Sequence, residues 1–415
     1  MQLKAGAANR VGLVSTNSIR NGASRRVLER LIEVAPIFEA WSDEPWVVDG
    51  AAVRVSLVCC GREKQNLRLN GNSVSVINAD LTALASDLTL AGSLHENTGI
   101  SFQGFTKGGP FEIDGLTARQ WLLEPVNPNG RGNADVLRPI KSGGDLVKRR
   151  EEAWVVDFSG QTQDAASLYQ SPFEQIAKVV KPFRALNKRP IYRDRWWIFA
   201  EARPGLRKAT ATLNRCIVTP KVSRHRVFLW LHPRVAPDNL VIAIARDDDT
   251  TFGVLHSRFH ERWSLVRGAF VGAGNDPTYT PTSTFETFPF PAGLTPDRPA
   301  ASYATDPRAI RIASAAQTLN RLRENWLNPS DLVKRVPEVV PGFPDRILPV
   351  NAAAAEVLKK RTLTSLYNQR PTWLANAHAE LDAAVAAAYG WPEDIGEEDA
   401  LERLLKLNLE RSKGS

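Results

Sequence analysis

VGLVSTNSI (11–19), SRRVLERLIEV (24–34) and IFEAWSDEPWVVDGAAVRVSLVCCG (37–61) decide the reading of this chain. The first string is an apolar run ending in polar residues, as a strand entering a loop does. The second keeps helical spacing through Val27, Leu28, Leu31 and Ile32. In the third, IFEAW and AAVRVSLVCC form a strand pair, with WSDEPWVVDG as a turn-rich connection. Alternation puts Val53, Val55, Leu57 and Cys59 on one strand face and Arg54, Ser56 and Val58 on the other. A strand, a helix and two more strands in this order predict an α/β beginning.

Working outward, the pattern weakens from 61 to 150, where loops such as FTKGGPF (105–111) and EPVNPNGRGNADVLRPIKSGGD (124–145) carry Gly, Asn and Pro. Short apolar runs follow, AWVVDF, RCIVTP, RVFLWL and NLVIAIA, which read as strands separated by turns. TPTSTFETFPFP (280–291), with prolines around its Phe residues, predicts an extended strip on the domain surface. Asp306 before Pro307 is a helix N-cap and first turn, and Ile312, Ala315, Leu319, Leu322 and Trp326 keep one face. A second helix runs from about Trp373 to Tyr389, closed by Gly390 and Pro392, and LERLLKLNLERS forms a last one.

The 415 residues are 43% apolar and 24% charged, so a sizeable core is available. Cys59, Cys60 and Cys216 show no zinc or disulfide spacing, which suits a reducing compartment. Neither a bilayer-spanning run nor a secretory signal is present, and a cytoplasmic location with no membrane partner is expected. The net charge is +8, but it is local. Lys178, Lys181, Arg184, Lys188, Arg189, Arg193, Arg195, Arg203, Arg207, Lys208, Arg215, Lys221, Arg224 and Arg226 face only Asp194 and Glu201. That segment holds +12 and the rest of the chain sums to −4. Aromatic residues, including Trp196, are interleaved with it, a combination that neutralises phosphates and contacts bases. A smaller cluster comprises Arg131, Arg138, Lys141, Lys148, Arg149 and Arg150, in a loop region where arginines can enter a groove. The expected DNA-binding set is Arg131, Arg138, Lys141, Arg149, Lys188, Arg189, Arg193, Arg195, Trp196, Lys221, Arg224 and Arg226.

No complete active site can be read, and no catalytic, cofactor or metal residue is assigned. Asp276-Pro277-Thr278-Tyr279 is the nearest string to the Asn/Asp-Pro-Pro-aromatic that methylation of an exocyclic amine needs, but Thr replaces the second Pro. His256 and His260 have i, i+4 spacing without the Glu or third ligand of a zinc site. Asp247, Asp248 and Asp249 read as a solvated turn.

The quoted N-terminal strings resemble the last strands of the catalytic domain in class I adenine-specific DNA methyltransferases, especially the MmeI-like type II restriction-modification class. NADVLRPIKSGGDLVKRREEAWVVDF, YRDRWWIFAEARPGLR, RCIVTPKVSRHRVF, GVLHSRFHERWSLVRG and YTPTSTFETFPFP are similar to that family's target-recognition domain. LDAAVAAAYGWP and LLKLNLERS are similar to its helical tail. The resemblance implies three parts: 1–60, the last strands of a Rossmann-like methyltransferase sheet; 61–292, a mixed α/β target-recognition domain; and 293–415, an all-helical tail. It also implies that the donor-binding Gly loop and the Asn-Pro-Pro-aromatic motif lie N-terminal to VGLVSTNSI. The chain is then expected to begin inside a methyltransferase domain. S-adenosyl-L-methionine would serve the complete enzyme and not bind this chain alone. Double-stranded DNA is the expected partner, and an upstream catalytic polypeptide would complete residues 1–60, which are expected to be poorly stable alone. The competing expectations are a stand-alone methyltransferase with a degenerate motif at Asp276, or an inactive truncated product.

Overall fold

The computed structural model describes residues 8–20, 22–48, 51–61, 66–83, 87–271 and 276–412. They form two compact units. One is assembled from Met1–His95, Arg258–Pro289 and Asp394–Ser415, the other from Glu96–Ser257 and Phe290–Glu393. The expected parts 1–60, 61–292 and 293–415 divide the chain by sequence character, whereas the compact units are woven across them.

In the first unit, β1 (Arg10–Thr16), β2 (Ile37–Val48), β3 (Ala51–Gly61), β4 (Arg68–Leu69) and β5 (Asn72–Ser73) form one sheet in the order β1-β3-β2-β4-β5. β3 is antiparallel to both β1 and β2, so those two run the same way on either side of it. The helix Gly22–Ile32 leads from β1 to β2 and buries Leu28 against the sheet with Ile37, Ala40, Val58 and Cys60.

One detail differs from the sequence reading. WSDEPWVV is not a connection but the second half of β2; a register irregularity falls between Trp41 and Glu44, after which Pro45 pairs with Arg54. The rest of that string, Asp49 and Gly50, lies outside the described residues. Burial on β3 falls on both parities: Val55, Ser56, Val58 and Cys60 are buried, while Val53, Leu57 and Cys59 are half-buried. Apolar residues stand on both sides of this strand, so alternation alone does not choose. Ser56 tolerates burial because its hydroxyl donates to the Ser42 carbonyl at 2.9 Å.

The same unit contains the helices Arg258–Arg267 and Glu397–Ser412. TPTSTFETFPFP is not a surface strip. Its start is a helical turn, Pro281–Phe285, capped by Thr280, and Phe285, Phe288 and Phe290 are all fully buried. Three aromatic side chains outweigh the prolines, which are confined to positions where no N–H is needed. Asn408, also fully buried, ties the last helix down by bonding Gly92 N–H, Gly92 O and Thr287 O at 2.7 to 2.9 Å.

The second unit holds β6 (Ser101–Gln103), β7 (Glu112–Asp114), β8 (Leu137–Lys141), β9 (Ala153–Val156), β10 (Cys216–Pro220), β11 (Leu229–Leu231), β12 (Ala236–Pro237) and β13 (Val241–Ile244). They make two four-stranded sheets, β11-β10-β13-β6 and β12-β8-β9-β7. The four apolar runs expected as strands are β9, β10, β11 and β13. Their shared core includes Phe105, Phe111, Trp154, Phe158 and Val218. The helices Pro307–Leu327 and Thr372–Tyr389 form as the sequence predicts, with Asp306 capping the first and Gly390, at φ +73°, ending the second. Gly253 lets the helix Asp249–His256 approach the first of these, since a Cβ there would stand 2.6 Å from Ile312. Among the described residues no helix is long and apolar enough to cross a membrane.

Candidate nucleic-acid interface

The basic segment begins on the helix Gln170–Ala185, continues through a short loop, and passes into the helical turn Pro190–Asp194. Its fixed point is Arg184, only 1% exposed although cationic. The guanidinium donates to the carbonyls of Lys107 at 2.5 Å, Gly108 at 3.3 Å and Arg195 at 3.3 Å, and it lies over the Phe111 and Tyr192 rings. Burial lowers its pKa, with Tyr192 partly offsetting. This one buried side chain ties the helix to the end of the turn that follows.

Around that anchor the charge faces water. Lys178, Lys181, Lys188, Arg189, Arg193 and Arg195 are exposed, and Asp194 is the single exposed acid between them. Their few contacts are short-range: Arg189 lies over Tyr192, Arg193 donates to the Asn187 carbonyl, and Lys181 stands 5.5 Å from the Trp196 ring. Six like charges with one counter-charge form a field that attracts a polyanion.

The expected DNA-binding residues therefore separate. Lys188, Arg189, Arg193 and Arg195 come together on this exposed face; Lys178 and Lys181, outside the expected set, join them. Exposure along the helix is the signal that sequence did not resolve. Trp196 is buried under the face rather than on it. Arg226 is buried too, its guanidinium bonded to Thr219 Oγ1 and the Pro220 carbonyl. Lys221 is half-buried, and Arg224 is exposed on the same connection.

The smaller cluster disperses. Arg131 is exposed and pairs with Asp135 at 2.8 Å. Arg138 is turned inward to the carbonyls of Pro233 and Arg234, 3.6 Å from Asp157. Lys141 is half-buried on β8. Arg149 caps the end of the helix Pro307–Leu327 through Leu327 O and Asn328 Oδ1 and bonds Arg361 O. Trp196, Arg138, Arg149 and Arg226 thus have structural work that a phosphate or base would have to displace.

The weaker chemical candidates are absorbed by the fold. Tyr279 is fully buried with its hydroxyl 2.8 Å from His260 Nε2, so its ring is not presented to a flipped base. His256 and His260 sit on separate helices broken at Ser257, and His256 accepts from Phe228 N–H at 3.1 Å. Asp248 caps the helix Asp249–His256 and pairs with Arg246, while Asp249 pairs with Arg215. No group of His, Cys, Asp and Glu suited to a metal occurs among the described residues.

No family model matches the chain, and no curated protein matches it. A solved structure does. The fold is similar to that of the Type IIL restriction-modification enzyme MmeI, determined in complex with DNA, with a TM-score of 0.70 at 18% identity. The match covers 97% of this chain and 50% of the other, so the chain spans about half the length of that enzyme. The mixed α/β architecture is MmeI-like; its C-terminal region is largely helical but not all-helical as expected, since Val333–Val336 pairs antiparallel with Arg346–Pro349.

Proposed function

We propose that this chain is the DNA-specificity portion of an adenine-specific, S-adenosyl-L-methionine-dependent DNA methyltransferase of a restriction-modification or phage-defence system. The exposed cationic face from Lys178 to Arg195 carries the reading, because six exposed cations there meet a single exposed acid, Asp194, and such a surface suits phosphates. The MmeI-like fold supports it, as does the sheet order β1-β3-β2, in which the strand-helix-strand of residues 10–48 is interleaved by β3. β1 is an edge strand of that sheet among the described residues, where a further polypeptide would add strands.

The donor belongs to the complete enzyme. Beside the end of β1, Asn17 is held by Asp43 and Ser56, and Ser42 by Asn70, a polar network with no glycine cradle among the described residues. These residues do not fit S-adenosyl-L-methionine. The chain's own part is to hold phosphates through the Lys178–Arg195 face and to orient the duplex for a target adenine flipped elsewhere.

Fluorescence anisotropy with a mixed-sequence duplex tests this. With six phosphate contacts, affinity falls roughly 10³-fold between 50 and 200 mM salt, and labelled methyl incorporation arises only when an upstream catalytic polypeptide is supplied. Salt-independent or absent binding, or incorporation by this chain alone, overturns the reading.

A further inference from the structure

Away from the cationic face, the second unit contains a cleft of about 210 Å³ lined by Phe105, Arg138, Leu206, Arg207, Ala211 and Arg215, with further apolar wall from Leu213 and Val235. Three guanidinium groups converge on it. Arg207 lies over the Phe105 ring at 4.4 Å and Arg138 over the same ring at 5.7 Å, while Arg215 stacks on Trp230 at 3.6 Å. Their carboxylate partners are two: Asp157, shared by Arg207 at 2.7 Å and Arg138 at 3.6 Å, and Asp249, 3.0 Å from Arg215. Arg234 adds further positive potential on Arg138.

The balance of this cleft is therefore cationic, and its arginines remain accessible, with side chains 19 to 37% exposed. Arg207 spends Nε on the Ala202 carbonyl and Nη2 on Asp157, and Arg215 spends Nε on the Asp247 carbonyl and Nη2 on Asp249. Each keeps Nη1 without a partner among the described residues. A half-buried excess of positive charge beside flat apolar walls suits an oxyanion attached to a planar or apolar body. The Cys216 thiol on the wall is pushed up to about 12 by burial and adds no negative charge.

We propose that this cleft is a phosphate-binding site, the phosphate held by Arg207 and Arg215, with Arg138 adding positive charge from the wall, and the adjoining body laid against Phe105, Leu206 and Leu213. The phosphate belongs either to a free nucleotide or to a nucleic-acid strand, and the two sources separate by experiment.

The full chain is titrated with inorganic phosphate, with dAMP and with a duplex at constant ionic strength, reading thermal shift and anisotropy. Two variants accompany it: Arg207→Gln, which removes a donor, and Ala211→Trp, which fills the cleft while leaving the Arg138-Arg207-Asp157 group intact. Saturable stabilisation by phosphate or dAMP, weakened at least tenfold in both variants, supports the site with a free nucleotide as source. Stabilisation by the duplex alone, weakened likewise in both, supports a strand phosphate. No response to any of the three probes, or responses unchanged in Ala211→Trp, overturns it.

Discussion

Nη1 of Arg323 donates to Nε2 of His256 at 2.7 Å, and the same imidazole nitrogen accepts the Phe228 N–H at 3.1 Å. His256 is therefore a neutral acceptor on that side. Arg323 is only 2% exposed, and its other bonds run to Phe228 O, Tyr367 Oη and Asn320 Oδ1, so a buried cation is held by neutral groups. Arg323→Met keeps the volume but removes the donors to the Phe228 carbonyl and to His256 Nε2. It is expected to cost roughly 2–4 kcal/mol, seen as a lower urea midpoint at unchanged slope. A change below about 0.5 kcal/mol would show that the network contributes nothing net.

The same group governs a pH response. His378 sits with Nε2 3.0 Å from Tyr367 Oη, and its pKa falls to about 3, by burial first and then by the charges of Arg323 and Arg370. It stays neutral in the folded chain while the unfolded chain titrates near 6.5. Between these values the unfolded state binds the extra proton, so this contribution is fully present above pH 6.5 and is lost as pH falls towards 3. His378→Gln is expected to flatten the acid limb of the stability profile by up to about 1.4 kcal/mol per pH unit. Parallel acid limbs in urea titrations of the two proteins would contradict it.

For the cationic face, Lys188→Gln, Arg189→Gln and Arg193→Gln in one variant should lower the salt slope of duplex binding by roughly 2–3 and leave the thermal midpoint in place. Arg226→Gln makes the contrast. Its guanidinium is spent on Thr219 and Pro220, so this change is expected to lower the midpoint while leaving the slope alone. The reverse pattern would exchange their roles.

That contrast also measures what could be read from sequence. The +12 segment was legible because charge is counted residue by residue, and the caps at Asp306 and Gly390 because their chemistry is local. Which cations face water was not, since Arg184 and Arg226 are buried by carbonyl acceptors supplied from distant stretches of chain. On β3 alternation chose no core face, because Val55, Val58 and Cys60 place buried apolar groups on both parities. The phenylalanines of TPTSTFETFPFP were hidden by prolines that mark a backbone shape without fixing its depth. The three arginines of the cleft were counted in the basic clusters, but their convergence was not legible, because Arg138 and Arg215 lie 77 positions apart.

Asp276 and Tyr279 separate a specificity portion from a self-sufficient enzyme. Tyr279 is buried against His260, with the two groups 2.8 Å apart, so Tyr279→Phe removes one internal hydrogen bond and should cost about 1 kcal/mol. Asp276 lies half-buried in a two-residue strand pair with Val271. In an assay reconstituted with an upstream polypeptide, Asp276→Ala should keep methyl transfer within about twofold if, as proposed, the base and the donor are held elsewhere. A loss of a hundredfold or more at Asp276, with duplex affinity intact, would return the reaction to this chain. The acceptor carbonyl for the adenine amine would then be sought here, not on another polypeptide.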